Sequence, residues 1–143
     1  MQPSPRPPDM LGIDTNVLVR FLTQDDAVQS RQAENFLRHR CSATTPGWIS
    51  VIVLCELVWV LSRGYGHDKA QISSVIEHLL RTPFLALEDE GLVRNALKSW
   101  QGSKLDFPDS LIAERNRHAG CTTTYTFDTK ASAADGFSPV PKK

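Results

Sequence analysis

The order of apolar segments predicts an α/β domain, a three-layer α/β/α sandwich around a mainly parallel central sheet. Three observations carry that expectation. Short apolar or β-branched runs, such as "LGI", "PFLAL" and "CTTTYTF", alternate with longer segments of helical period. Ser or Asp residues suited to helix capping precede several of the longer segments, and glycines follow some of them. A chain of 143 residues with 41% hydrophobic content, three Trp and six Phe can bury one core, and it shows no internal repeat. Right-handed crossovers between parallel strands then place helices on both faces of the sheet.

Leu11–Asp14 reads as a short buried strand. Thr15–Leu22 reads as a helix, with Val17, Leu18, Phe21 and Leu22 at helical spacing. "TQDD" breaks that pattern, and Asp25 or Asp26 caps a helix running to about Arg40, with Ala27, Val28, Ala33, Phe36 and Leu37 as its apolar side. "ATTPGWIS" predicts a turn and a short strand. Ser50 is the N-cap of a helix over "VIVLCELVWVLSR", stopped by "GYG". Its β-branched residues favour a strand, but its length decides for a helix. Asp68–Leu80 is amphipathic, with Ile72, Val75, Ile76, Leu79 and Leu80 inward. "PFLAL" is a strand, and Glu88–Trp100 a helix. "GSKLDFPDSLIAERNRHAG" is a loop and then a helix ended by Gly120. "CTTTYTF" is a strand reaching Asp128, and "FSPV" a last edge strand.

Sixteen basic and sixteen acidic residues cancel, so no long basic track for nucleic acid is expected, although a local patch remains open. Cys41, Cys55 and Cys121 lie far apart without metal-ligand spacing, which predicts reduced packing thiols and a cytoplasmic protein. Residues 1–9, "MQPSPRPPD", read as a flexible Pro-rich leader without a secretory signal, which makes Met10 a candidate start and 10–143 the domain. No segment is long and apolar enough for a membrane span.

The acids carry the chemistry. In parallel sheets, ligands bind at the carboxyl ends of the strands. Asp14 and Asp128 each end a strand there, and the helix starting at Asp106 begins there. Asp14 also fits a plain N-cap, and Asp128 a plain turn residue. Glu56 sits in a helix apolar almost all round, a pattern that predicts burial; an unpartnered buried carboxylate costs several kcal/mol. It is therefore expected to meet a cation, a basic side chain or a water-filled cleft. Asp106 and Asp109, at i and i+3, share one face of a first helical turn that Pro108 suits. The bland alternative is an N-cap plus a dipole-compensating acid.

Together these acids predict one negatively charged basin. Two carboxylates about 4 Å apart repel by roughly 4 kcal/mol at an effective dielectric of 20, so a cluster of four calls for cations. Oxygen ligands suit Mg²⁺, with Mn²⁺ as a substitute. His39, His67, His78 and His118 show no ligand spacing and read as surface or packing residues. A carboxylate-held Mg²⁺ binds phosphate groups and can activate water against a phosphodiester. On this reading Asp14 is held rigidly by the sheet, with Thr15 and Asn16 beside it.

"IDTNVLVRFLTQDD", "LCELVWVLSRGYG", "LDFPDSLIAERNRHAGC" and "TYTFDTKASA" resemble, in order and spacing, the PIN-domain ribonucleases, most closely the VapC-type toxins of bacterial toxin–antitoxin pairs. The resemblance runs from about Leu11 to Phe137. It implies a PIN-like fold and a magnesium-dependent endoribonuclease acting on RNA. Asp14, Glu56 and Asp109 would form the main metal site, Asp128 the fourth acid and Asp106 an accessory one. Thr15 would match the small hydroxyl residue beside the first acid, and Thr126 would support Asp128. Pro108 and Ser110 stand where the family often has alanine, and both fit a helix start. A homodimer is implied, as is a VapB-type antitoxin inserting a segment, often with Arg, into the acidic cleft. Arg20, Arg63, Lys104, Arg115 and Arg117 are either guides for RNA phosphates or solvated surface charges.

Two rival readings fit parts of the pattern. A noncatalytic acidic-cleft module would dock a basic peptide or hold a metal without turnover. A flavodoxin-like phosphotransfer domain would need an acceptor Asp at a central strand end and a Lys at a late one. Lys130 is poorly placed for that, and "PFLAL" ends without an Asp.

Overall fold

The first strand, β1 (Leu11–Gly12), is only two residues long and leads almost at once into α1 (Thr15–Thr23). The computed structural model describes residues 9–143, so the expected Pro-rich leader lies outside the described residues except for Asp9. The chain divides into two compact units, the first ending at Glu88 and the second comprising Asp89–Lys143.

In the first unit, β2 (Gly47–Ile49) lies between β1 and β3 (Leu85–Leu87) in a three-stranded parallel sheet. Gly47 stands opposite both Leu11 and Leu85. A Cβ at Gly47 would lie 3.0 Å from Ile13 Cγ1 and 3.1 Å from Leu85 Cδ2, so the bare backbone lets those side chains close over the sheet. The helices are α2 (Ala27–Arg40), α3 (Val51–Tyr65) and α4 (Lys69–Arg81). Asp26, rather than Asp25, caps α2, accepting from the Val28 and Gln29 N–H groups. Ser50 caps α3 as expected, and Gly66 ends it in the left-handed conformation (φ 66°) that glycine adopts without strain. Asp68 and Gln71 form a reciprocal capping box at α4.

Leu18, Leu37, Ile49, Leu54, Leu57, Leu61, Ile76 and Leu79 form the fully buried centre of this unit. Each such side chain contributes about 1.5–3 kcal/mol of burial. α1 packs against α2 and α3, and α4 against α3 and β3. Two expected apolar faces are corrected. Ala27 and Val28 of α2 are exposed, with Ala33 and Leu37 carrying the buried stripe. In α3, Ile52 and Trp59 are 70% and 63% exposed, so this helix is not buried all round.

The second unit contains α5 (Glu90–Gln101), α6 (Phe107–His118), β4 (Thr124–Thr126), α7 (Thr129–Ser132) and β5 (Phe137–Pro139). α5 packs on α6, where Trp100 and Phe107 meet edge to face at 5.3 Å. β4 and β5 pair in parallel as a separate two-stranded sheet, and α7 packs against both strands. α7 is too short to leave a periodic signal in the sequence. The α/β class with parallel strands is as expected, three of them paired in the first unit and two in the second. Among the described residues, no helix is long and apolar enough to cross a membrane.

Candidate active site

β1 stops at Gly12, short of the expected Leu11–Asp14, and Asp14, two residues on in an extended conformation, caps α1, its Oδ1 accepting the Thr15 N–H at 2.8 Å. The neighbouring Thr15 is buried, and its hydroxyl donates to Glu56 Oε2 at 3.0 Å. Asp14, Thr15, Asn16 and Glu56 line one open cleft of about 400 Å³. Ser50 and Glu88 both secure the start of α3, which carries Glu56. Ser50 Oγ accepts from the Val53 N–H at 3.2 Å, and Glu88 Oε1 from the Val51 N–H at 3.0 Å. Glu56 itself is exposed, not buried as the apolar run around it predicts. It falls on the same stripe as Ile52 and Trp59, facing water. What it meets is the cleft and a hydroxyl donor.

In the second unit, Asp106 is the N-cap residue of α6, with Pro108 in the first turn. Its own side chain makes no capping hydrogen bond. The Asp109 carboxyl is held above the ordinary aspartate range. Burial is the largest cause, followed by the charges of Asp106 and Asp128, against a hydrogen bond from the Asp106 backbone. Asp128 caps α7, its Oδ1 accepting from the Lys130 and Ala131 N–H groups at 2.8 and 3.1 Å. Thr126 Oγ1 accepts the Asp128 N–H at 3.0 Å.

Asp14 and Glu56 thus belong to the first unit, and Asp106, Asp109 and Asp128 to the second. Among the described residues, no three His, Cys, Asp or Glu side chains stand in a group that could hold a metal ion as placed. The donor chemistry nonetheless fits a hard divalent cation. Every candidate donor is an oxygen, and Asp109 carries a charge penalty from two neighbouring carboxylates that a cation relieves.

The model of the PIN domain family matches residues 12–136. The chain belongs to the PIN domain family. It is also similar to a VapC ribonuclease of Aquifex aeolicus (strain VF5), 25% identical over 116 residues that cover 80% of this chain and 84% of that protein. The PIN-family match takes in both units and every acid named above.

Sequence reasoning missed several residues of this PIN domain. Glu88, read simply as the start of a helix, instead follows β3 and supports the N-terminus of α3. Glu114 is buried and accepts from Arg117 Nη2 at 2.7 Å. Its position, three residues after Leu111 and four after Ser110, is the available signal that it faces inward. Arg117 is committed to that pair, and Arg115 stands 3.8 Å from Asp89. Arg63 and Lys104 are exposed. Tyr65, named only as part of a helix stop, lines the cleft of Asp14 and Glu56, as does Arg20.

Proposed function

We propose that this PIN domain is a magnesium-dependent endoribonuclease that hydrolyses RNA phosphodiesters as the toxin of a toxin–antitoxin pair. The observation that carries the proposal is the hydrogen-bonded set of Asp14, Thr15 and Glu56 in an open cleft, in a chain whose family match also takes in Asp106, Asp109 and Asp128. The similarity to a VapC ribonuclease supports RNA as the substrate and a VapB-type antitoxin as the partner. The reading includes a homodimer working in the cytoplasm.

Asp14, Glu56 and Asp109 would hold Mg²⁺, or Mn²⁺ in its place, with Asp128 and Asp106 assisting. When bound, the ion supplies Lewis-acid stabilisation of charge on the phosphodiester oxygens and counters repulsion between carboxylates and the RNA backbone. The chain's own residues set the positions. Thr15 fixes one Glu56 oxygen by hydrogen bonding, leaving Oε1 for other work. Its backbone N–H orients Asp14 Oδ1, and Thr126 holds the backbone of Asp128. Asn16 lines the same cleft and offers an amide to substrate. Asp109 needs its carboxyl ionised to act as a ligand, so its raised proton affinity links the reaction to pH.

The direct test is incubation of antitoxin-free protein with structured RNA. Cleavage with Mg²⁺ or Mn²⁺, stopped by EDTA, supports the proposal. Intact RNA at every divalent concentration, with retained binding of a basic peptide, supports the noncatalytic module instead.

A further inference from the structure

We infer that Arg20 holds a backbone phosphate of the RNA strand as it enters the cleft of Asp14 and Glu56, and so acts as a positioning residue. The inference rests on the ribonuclease reading and adds to it the point where the strand is gripped.

Three features of the first unit carry it. Arg20 lines two depressions at once. One is the acid cleft; the other is a groove of about 290 Å³ against α1 and α2, which Gln29, Gln32 and Phe36 also line. Asn16 is shared in the same way, so Arg20 and Asn16 mark where the two meet. The guanidinium is also fixed in orientation. Its Nε donates to Gln29 Oε1 at 2.8 Å and its Nη1 to Asp25 Oδ1 at 3.2 Å. Asp25 is itself held by the Thr23 hydroxyl at 2.9 Å and the Tyr65 hydroxyl at 2.5 Å. Finally, Nη2 has no hydrogen-bond partner among the described residues. A planar guanidinium pinned on two sides presents its remaining N–H groups in one direction, which suits a phosphate oxygen.

The charge pattern makes such a residue useful. RNA phosphates are repelled by the carboxylates of the cleft, so the strand needs a fixed cation at the rim. Arg20 is the one basic residue lining this cleft among the described residues. A structural role alone accounts poorly for the arrangement, because the Arg20–Asp25 pair is one-third to two-fifths exposed and such pairs contribute little to folding.

The probe is a fluorescent oligoribonucleotide of randomised sequence, titrated with the full chain in EDTA across a salt series, alongside Mg²⁺-dependent cleavage kinetics. Arg20→Gln is expected to weaken binding about tenfold and to lower the log–log salt slope by about 0.7, with KM raised and kcat nearly unchanged. Arg20→Lys restores the slope but only part of the affinity, since it keeps the charge and loses the fork. Wild-type affinity and slope in Arg20→Gln, from a wild-type protein that does cleave RNA, overturn this inference and leave the nuclease reading standing. Equal losses in both variants with a lowered melting temperature overturn it in favour of a structural tether. A wild-type protein that cleaves no RNA, with the Arg20 effect on binding intact, removes the nuclease reading alone. Failure of the wild type to bind RNA in EDTA overturns this inference, and failure to cleave it with Mg²⁺ as well removes both readings.

Discussion

Thr15 and Glu56, 41 positions apart in the sequence, are joined by a hydrogen bond of 3.0 Å from the threonine hydroxyl to Oε2 of the glutamate. The bond ties the start of α1 to the second turn of α3 and fixes one carboxylate oxygen at the rim of the cleft. It gives a buried hydroxyl beside an exposed acid a defined purpose.

Thr15→Val keeps the volume of that side chain and removes the donor. Hydrogen bonds to charged groups contribute about 1.5–3 kcal/mol, so we expect Mg²⁺-dependent cleavage to fall roughly tenfold to a hundredfold. The Mg²⁺ concentration for half-maximal rate should rise, while Thr15→Ser stays near wild type. Steady-state kinetics over a metal series makes the comparison; unchanged metal dependence in Thr15→Val counts against a role for this bond.

Asp109 gives a stability prediction of opposite sign to its activity prediction. Burial, then Asp106 and Asp128, raise its proton affinity in the native state. Between the ordinary aspartate range and that raised pKa the folded chain binds more protons than the unfolded one, so stability falls as pH rises through this window. Above it, ionised Asp109 is a net cost. Asp109→Asn should therefore raise the metal-free melting temperature at neutral pH, by roughly 1–3 °C given solvent screening of a partly exposed group. The gain should shrink as pH is lowered toward about 4. Calorimetry across pH reads this directly, and a melting temperature lowered by the substitution contradicts the electrostatic account.

The same group predicts the acid limb of activity. As pH falls, Asp109 takes its proton before an ordinary aspartate does, and cleavage at limiting Mg²⁺ declines with it. Asp106→Asn removes the second largest cause of the shift, so the limb should move to lower pH in any variant activity that remains. A limb unmoved by Asp106→Asn assigns it to another group.

Asp26 offers a test of the fold away from the acids. Its carboxylate accepts from two backbone N–H groups at the start of α2. Asp26→Ala should cost about 1 kcal/mol, measured by chemical denaturation, with an unchanged m-value. Asp25→Ala should cost less at that helix start, because Asp25 binds Arg20, Thr23 and Tyr65 instead.

Much of this architecture was legible because its signals are local. Ser50, Asp68 and Gly66 announce helix ends through their own backbone chemistry, and the structure uses them so. "FSPV" as a strand was also legible, and its residues Phe137–Pro139 pair with β4. The exposure of Glu56, Ile52 and Trp59 was not, because an all-apolar helix says nothing about which of its sides a neighbour covers. In the site, Asp14 and Asp128 stand out as acids that follow strands and open helices. The Thr15–Glu56 bond, the Glu88 support of α3 and the clamping of Arg20 depend on side-chain geometry that no spacing reveals.

The central claim is that acids of both units serve one divalent-cation-dependent cleavage of RNA. Its most direct test measures Mg²⁺-dependent cleavage, and the Mg²⁺-induced rise in melting temperature, for wild type, Asp14→Asn and Asp109→Asn. The account predicts that wild type shows both effects and that each substitution, one in each unit, abolishes cleavage and blunts the thermal shift while the chain stays folded. Full cleavage by both variants would contradict it.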